Sequence, residues 1–275
     1  LGDVYKRQLQ AFQKINNKQI NSFVTSLGIV PEYLGSNNYI NEAHSIGGFT
    51  GVSPVQLASA YSAFGNEGNY TEAHSINKIV YKTDGKEEVH EFNFETKNVM
   101  SDTTAYMIAY MLKKVTSSSV KVKGTDISTK TGTSSYDETA LKKLKLSRNV
   151  IQDAWTVTFS PDYSVAIWYG YDNLTKKTYN TTNHAWAERT KIQKEIVNNV
   201  MEKNSRFKRP SGIVSSKVVV GSNPPMLPNR TTPSSKIQTH LFKKGTQPTK
   251  VYPVYVKPKV IEENEDVKIP DVLEP

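Results

Sequence analysis

The amino-acid sequence predicts an α+β fold in which helices cover an antiparallel sheet, giving three αβα layers. Helical spacing of apolar residues dominates the first 115 residues, and strand-like alternation replaces it between residues 126 and 171. A further helical pattern follows the strands and can cover the sheet. With 37% hydrophobic and 22% charged residues, the chain can bury a core, which excludes a collagen-like or wholly disordered protein.

Helix signals come first along the chain. Apolar residues at helical spacing predict one or two short helices over residues 9–28, ended by Gly28. Ser53 is a good N-cap and Pro54 suits the first helical position, so a helix is predicted from there to Gly65.

A hairpin and another helix are predicted next. Residues 75–94 hold two apolar runs on either side of Thr-Asp-Gly at 83–85, which is a strong turn signal. Ser101 and Asp102 then supply a cap and a first-turn acid for a helix that continues to Val115.

Three strands and a final helix complete the predicted body. The strands are predicted over 126–134, 153–159 and 165–171, with long loops between the first two. Ser-Pro-Asp-Tyr at 160–163 is a turn sequence, so the second and third strands should pair antiparallel. The helix, over about 185–203, should cover the sheet.

Charge and proline content change sharply after the last helix. Residues 203–259 carry 12 basic and no acidic side chains, and ten of the 13 prolines lie between 210 and 275. We therefore assign residues 206–275 to a Pro/Lys-rich C-terminal extension, partly extended and partly disordered. The absence of cysteine excludes disulfides and thiol nucleophiles. Neither a spanning segment nor a signal peptide is recognisable, so any membrane anchor is expected outside this chain.

The segment with the clearest chemistry is Lys130-Thr131-Gly132-Thr133, on the first predicted strand. Glycine inside a strand marks a place where a ligand or another backbone approaches closely. Lys130 offers a cation and the two threonines offer hydroxyls, which are predicted to face one pocket and bind a carboxylate. The backbone N–H of Thr133 could also stabilise an oxyanion. A glycine-containing edge strand with solvated polar residues is the alternative interpretation.

Six segments follow one another in a characteristic order. They are GFTGVSPVQLASAY at 48–61, NEG at 66–68, KTGT at 130–133, DAWTV at 153–157, VAIWYGYD at 165–172 and KGTQPT at 244–249. The first five resemble the transpeptidase domain of class A penicillin-binding proteins, and the sixth resembles a short motif that follows the catalytic part of such proteins. The resemblance extends over most of the chain, from about Leu9 to Thr249.

The resemblance implies a serine-type D,D-transpeptidase that cross-links peptidoglycan stem peptides and is acylated by β-lactams. It would work at the extracytoplasmic face of the bacterial cell membrane, next to a glycosyltransferase domain outside this chain, and without a cofactor. The implied substrate-carboxylate and β-lactam site is Lys130, Thr131, Gly132 and Thr133, with Ser134 and Tyr136 at the pocket rim. Lys130 would be the cationic partner, Gly132 the close-approach residue, and Thr133 both carboxylate ligand and oxyanion donor.

The nucleophile motifs depart from the family pattern. In the family, S-x-x-K and then S-x-N precede K-T-G, whereas here Ser118-Ser119-Val120-Lys121 adjoins the strand and Ser147-Arg148-Asn149 follows it. We interpret both as chance matches. The catalytic serine, the base lysine and the S-x-N motif are expected before Leu9. Leu1–Gln8 is interpreted as a foreign head, and residues 9–205 as the C-terminal portion of the transpeptidase domain, inactive by itself.

Other functional readings of the sequence have weaker support. The five histidines are scattered without a ligand set, so no metal site is expected. The three tryptophans fit aromatic packing, and Asp153 either is structural or braces the loop after the K-T-G strand.

The alternatives to a transpeptidase come from two classes. A D,D-carboxypeptidase or serine β-lactamase relative is disfavoured because those chains usually end soon after the last helix. A non-catalytic module that binds anionic cell-wall polymers through the basic extension belongs to another class, and an unspecific solvated tail is the simpler reading of that extension. No nucleic-acid motif is present, so nucleic acid is not an expected partner.

Overall fold

The computed structural model describes residues 2–30, 33–34, 37–38, 40–48, 51–117 and 119–254. The chain forms two compact units that divide after Pro210. Helices of the first unit are α1 Gly2–Gln13, α2 Asn17–Ser26, α3 Pro54–Gly65, α4 Asp102–Leu112, α5 Glu138–Leu144 and α6 Thr182–Val200. Its strands are β1 Tyr33–Leu34, β2 Asn37–Asn38, β3 Asn69–Thr71, β4 Lys78–Thr83, β5 Lys86–Glu91, β6 Thr96–Asn98, β7 Ser128–Ser135, β8 Val150–Phe159, β9 Ser164–Gly170 and β10 Asn180–Thr181.

The helix starts follow the capping signals in the sequence. Ser53 Oγ accepts the N–H of Gln56, and the Gln56 side chain accepts the N–H of Ser53, so α3 begins with a capping box and Pro54 at its first position. At the start of α4, Ser101 Oγ accepts the N–H of Thr104 over 3.2 Å. α4 ends at Leu112, one turn before the predicted end.

The hairpin β4–β5 is confirmed. Its two-residue turn consists of Asp84 and Gly85, whose φ angles are 52° and 77°. Positive φ at both central positions matches the right-handed twist of the flanking strands, which explains the strength of the turn signal.

The central sheet of the first unit is antiparallel, with β8 between β7 and β9 and with β10 paired to the start of β8. The turn at 160–163 joins β8 to β9, and the N–H of Ser160 donates to the carbonyl of Tyr163 over 2.8 Å. This pairing was predicted. The long loop expected between the first two strands instead contains α5, because Asp137 Oδ1 caps the N–H groups of Thr139 and Ala140.

One face of the sheet packs against α3 and α4. Phe159 at the end of β8 is fully buried and its ring contacts Tyr61 and Phe64 of α3. Ser128 of β7, which pairs with Phe159, donates to the Ala109 carbonyl of α4 over 2.8 Å.

The other face packs against α6. Gln193 Nε2 donates to Thr158 Oγ1 over 2.6 Å, and Ala185 lies in a cluster with Ile151 and Ala154. Because Thr158 and Ala154 alternate with Phe159 along β8, α6 lies opposite α3 and α4. The predicted antiparallel sheet with helices on it is therefore confirmed.

The segment after α6 is fixed to the loop before β7 through Asp126. The Asp126 carboxylate accepts Lys113 Nζ at 2.6 Å, an Arg206 guanidinium N–H at 3.2 Å and the Phe207 N–H at 3.2 Å. Arg206 and Phe207, which the sequence assigned to the extension, therefore belong to the first unit.

The described part of the second unit, residues 211–254, is built on an antiparallel pair, β11 Ile213–Val219 and β12 Ile237–Lys243. The sequence predicted a partly extended chain after residue 206, and β11 and β12 are extended segments within that region. Across the described ranges of both units, the helices are too short or too polar to cross a membrane.

Candidate functional site

The Lys-Thr-Gly-Thr segment lies in the middle of β7, at the edge of the central sheet. Among the described residues, β7 pairs with β8 on one side and has no strand on the other. An edge strand presents backbone N–H and C=O groups to any extended chain that lies beside it. The segment therefore has an open side along which a ligand could bind.

The strand register assigns the side chains of this segment to both faces. Lys130 pairs with Val157, on the face that packs against α3 and α4, whereas Thr133 pairs with Ala154 on the α6 face. Lys130 and the two threonines therefore do not share one face of the sheet, because consecutive strand residues point to opposite faces. All three side chains are exposed and border the same edge, so a ligand in the plane of the sheet could contact them from both sides.

Lys130 is the cation of the site. Its Nζ donates to the Thr131 carbonyl at 2.6 Å, and within the described ranges it forms no ion pair with a carboxylate. Although the side chain is exposed, neighbouring protein removes part of its water, and this desolvation lowers the pKa of Lys130. An ammonium held only by one carbonyl can exchange that contact for an external anion.

Gly132 is not required by packing within the sheet. A Cβ added to it would lie 3.4 Å from the Trp155 Cβ on β8, a contact that a small adjustment could accommodate. At the open edge of β7, the absence of a side chain on Gly132 would let another backbone approach closely.

Thr133 contacts α6. Its Oγ1 accepts the indole N–H of Trp186 over 3.1 Å. The sequence interpretation placed Trp186 in aromatic packing and missed this contact, because 53 residues separate the two positions and no motif connects them.

Asp153 of β8 braces the end of the K-T-G strand. It accepts the Ser134 hydroxyl from β7 and, over 2.7 Å, the indole N–H of Trp168 from β9. Both partners lie on strands and neither lies in the loop after the K-T-G strand, so these contacts favour the structural reading of Asp153. Burial raises the pKa of the Tyr136 phenol, and the negative charge of Asp153 raises it further, so Asp153 also influences the expected pocket rim.

Removing the Asp153 carboxylate should loosen this end of the sheet. We expect Asp153→Ala to lower the free energy of unfolding by about 1–3 kcal/mol, because the Trp168 N–H and the Ser134 hydroxyl lose their acceptor. Urea unfolding followed by tryptophan fluorescence would measure it. Asp153→Asn keeps one carbonyl acceptor and should cost less, and equal losses in the two variants would contradict the bracing role.

The two matches to the nucleophile motifs lie on either side of β7 in the sequence. Ser118 lies outside the described residues, and Val120, between it and Lys121, is fully buried in a core cluster. Ser147 lies in the loop after α5, where its hydroxyl bonds the Asn149 side chain. Within the described ranges, no group of three or more His, Asp or Glu side chains is placed to hold a metal ion.

Comparison with known families identifies the larger part of the chain. Residues 8–202 match the family described as penicillin binding protein transpeptidase domain. The chain belongs to the penicillin-binding protein transpeptidase family. Residues 209–257 match the C-terminal domain of penicillin-binding protein 1A. The resemblance to class A penicillin-binding proteins in the sequence is thereby confirmed.

Individual penicillin-binding proteins resemble the chain to different extents. Penicillin-binding protein 1A/1B of Bacillus subtilis (strain 168) is 35% identical over 90% of this chain and 27% of that relative. Penicillin-binding protein 1A of Streptococcus pneumoniae (strain ATCC BAA-255 / R6) is 32% identical over 60% of this chain and 23% of its own length. A crystal structure of PBPA from Mycobacterium tuberculosis is 16% identical with a TM-score of 0.48, covering 68% of this chain and 47% of that one. The chain thus spans about a quarter of the length of these curated relatives.

Proposed function

We propose that this chain supplies the carboxylate-binding part of a serine-type D,D-transpeptidase that cross-links peptidoglycan stem peptides at the extracytoplasmic face of the bacterial membrane. The observation that carries the proposal is the Lys-Thr-Gly-Thr segment on an open edge strand, with the Lys130 ammonium bonded to a backbone carbonyl. Membership of the penicillin-binding protein transpeptidase family supports it.

The edge position suits a donor peptide that ends in D-Ala-D-Ala. An extended peptide can add to β7 through backbone hydrogen bonds, with its terminal carboxylate near the Lys-Thr-Gly-Thr segment. Lys130 would attract that carboxylate from one face, and the hydroxyls of Thr131 and Thr133 would donate to it from the other. The N–H of Thr133 is the candidate donor to the oxyanion that forms on acyl transfer. The carboxylate of a β-lactam would use the same contacts.

The terminal carboxylate offers a direct test on the 275-residue chain. A short peptide ending in D-Ala-D-Ala with a free carboxylate should shift the NMR signals of β7, and the same peptide with an amidated C-terminus should bind at least about tenfold more weakly, since charge-assisted hydrogen bonds contribute about 1.5–3 kcal/mol. Equal binding of the acid and the amide would overturn the proposed carboxylate site.

Binding at Lys130 should depend on pH. Only the protonated ammonium attracts the carboxylate, which stays ionised above about pH 5. Because desolvation lowers the pKa of Lys130 from the ordinary 10.5, affinity should decline at a lower pH than an ordinary lysine would allow. We expect the Kd to rise with pH, starting below the pH at which an ordinary lysine loses its proton, whereas Arg stays charged throughout. Lys130→Arg should therefore show a flat profile, and a flat profile in the parent chain would contradict the assignment.

We further propose that the acylated serine, its base and the S-x-N motif come before Leu9. The matches at Ser118 and Ser147 would then have no catalytic role. The order of the motifs in the family supports this, since S-x-x-K and S-x-N precede K-T-G there. A fluorescent β-lactam, read by intact mass, should form no adduct with the folded 275-residue chain. A stoichiometric adduct lost in Ser118→Ala or Ser147→Ala would show that one of the matches is the nucleophile.

A second candidate function concerns residues 211–254, which we propose bind an anionic wall polymer. The observation that favours it is charge: this described part of the second unit has no acidic residue, and its basic side chains are all exposed. They are Lys217, Arg230, Lys236, Lys243, Lys244 and Lys250. Such a surface attracts polyanions in a salt-dependent way.

Retention on purified cell walls would test this second function. Lys243→Gln with Lys244→Gln should reduce retention of the chain at low salt. The matched control is Lys142→Gln with Lys143→Gln, which removes the same charge from α5 of the first unit. Equal reduction by both pairs would indicate attraction by net charge alone, and would reject a dedicated surface.

A further inference from the structure

We propose that Trp186 of α6 is a positioning residue that orients the Thr133 hydroxyl for the substrate carboxylate. This inference rests on the proposed function, in which Thr133 is a carboxylate ligand. Its basis is the hydrogen bond from the Trp186 indole N–H to Thr133 Oγ1, with Nε1 and Oγ1 3.1 Å apart.

The donor and acceptor capacities of the two groups determine the direction of this bond. An indole N–H can only donate, and a threonine hydroxyl has one proton and two acceptor lone pairs. Thr133 Oγ1 therefore accepts from Trp186, and its own proton remains available to another acceptor. A carboxylate at the open edge of β7 is an acceptor of the required kind.

Trp186 can fix the hydroxyl because α6 itself is fixed on the sheet. One turn after Trp186, Arg189 is buried and donates to the Trp155 carbonyl of β8 over 3.0 Å. One turn further, Gln193 is also buried and donates to Thr158 Oγ1 over 2.6 Å. These contacts fix the rotation of α6 about its axis and its position along the sheet. They therefore also fix the position of the indole beside β7.

Trp186 is too exposed for its main role to be packing in the core. The side chain is 45% exposed, whereas Ala185 next to it is fully buried in the contact with the sheet. Replacing the indole by a phenyl ring removes the N–H and leaves the buried row of α6 intact. Trp186→Phe should therefore fold normally, and any effect on the ligand should come from the lost hydrogen bond.

A double-mutant cycle tests the inference on the 275-residue chain, with the D-Ala-D-Ala peptide acid as ligand. We expect Trp186→Phe to raise the Kd about twofold to tenfold, the range of one hydrogen bond. In a Thr133→Val background, which has no hydroxyl to orient, the same change should have no effect. In a Thr133→Ser background, which keeps the hydroxyl, the loss should return. Thermal unfolding of each variant would show that the fold is kept.

The outcomes separate this inference from the function on which it rests. If Lys130→Ala weakens binding and Trp186→Phe does not, the carboxylate site stands and the role of Trp186 is overturned. Independent effects of Trp186→Phe and Thr133→Val, which add in the double variant, would also overturn it. If Lys130→Ala leaves the Kd unchanged, the proposed function fails and the inference fails with it.

Discussion

Phe159→Ala should lower the free energy of unfolding of the first unit by about 3–5 kcal/mol, the largest stability effect that we expect from one substitution. Phe159 is fully buried at the end of β8. Its ring lies among Tyr61 and Phe64 of α3 and Phe207 of the segment after α6, with ring centroids 5.8–6.2 Å apart. Truncation would leave a cavity where β8, α3 and that segment meet, and urea unfolding followed by far-UV circular dichroism would measure the loss.

Two control variants make this prediction specific. Phe159→Leu retains most of the apolar volume and should cost clearly less than the alanine variant. Phe92→Ala removes a ring that is 39% exposed and should change the stability by less than about 1 kcal/mol. A loss for Phe159→Ala no larger than that for Phe92→Ala would mean that the aromatic cluster does not hold α3 on the sheet.

Lys130→Ala should weaken binding of the D-Ala-D-Ala peptide acid by about tenfold to a hundredfold, the largest functional effect that we expect. The ammonium forms no ion pair among the described residues and donates to one backbone carbonyl, so its removal leaves no buried carboxylate unpaired. The loss therefore measures the charge-assisted contact to the ligand, about 1.5–3 kcal/mol. Titration of the peptide into the chain, followed by NMR, would give the Kd.

Two control variants distinguish a local contact at Lys130 from a general effect of positive charge. Lys121→Ala removes an exposed cation before β7 and should leave the Kd within about twofold. Lys130→Arg keeps the charge and should recover part of the affinity. Equal weakening by Lys121→Ala and Lys130→Ala would show that the general positive charge of the chain attracts the peptide, which would contradict a carboxylate site at Lys130.

Local signals in the sequence were sufficient for most of the secondary structure. The capping residues before α3 and α4, the Asp84-Gly85 turn and the turn at 160–163 depend on contacts within a few residues, so their patterns predict structure directly. The order of K-T-G and the following strands was likewise enough to indicate the family, and the family comparison confirmed it.

The candidate binding edge of β7, in contrast, depends on contacts between distant segments. The sequence predicted Lys130 and Thr133 as parts of one site, but only the pairing of β7 with β8 assigns them to opposite faces of an open edge. α5 was missed because a short helix held by one capping aspartate has too few residues to give a clear period.

The sequence by itself therefore determined the family and the three main strands of the central sheet, and it predicted Lys-Thr-Gly-Thr at 130–133 as the binding segment. Only the tertiary structure decided which groups support that segment: Asp153 between Ser134 and Trp168, and Trp186 beside Thr133. The physical reason is that capping and turn preferences act within a few bonds along the chain. A hydrogen bond between residues 53 positions apart exists only after the sheet and α6 have packed, and single polar contacts of that kind leave no periodic pattern in the sequence.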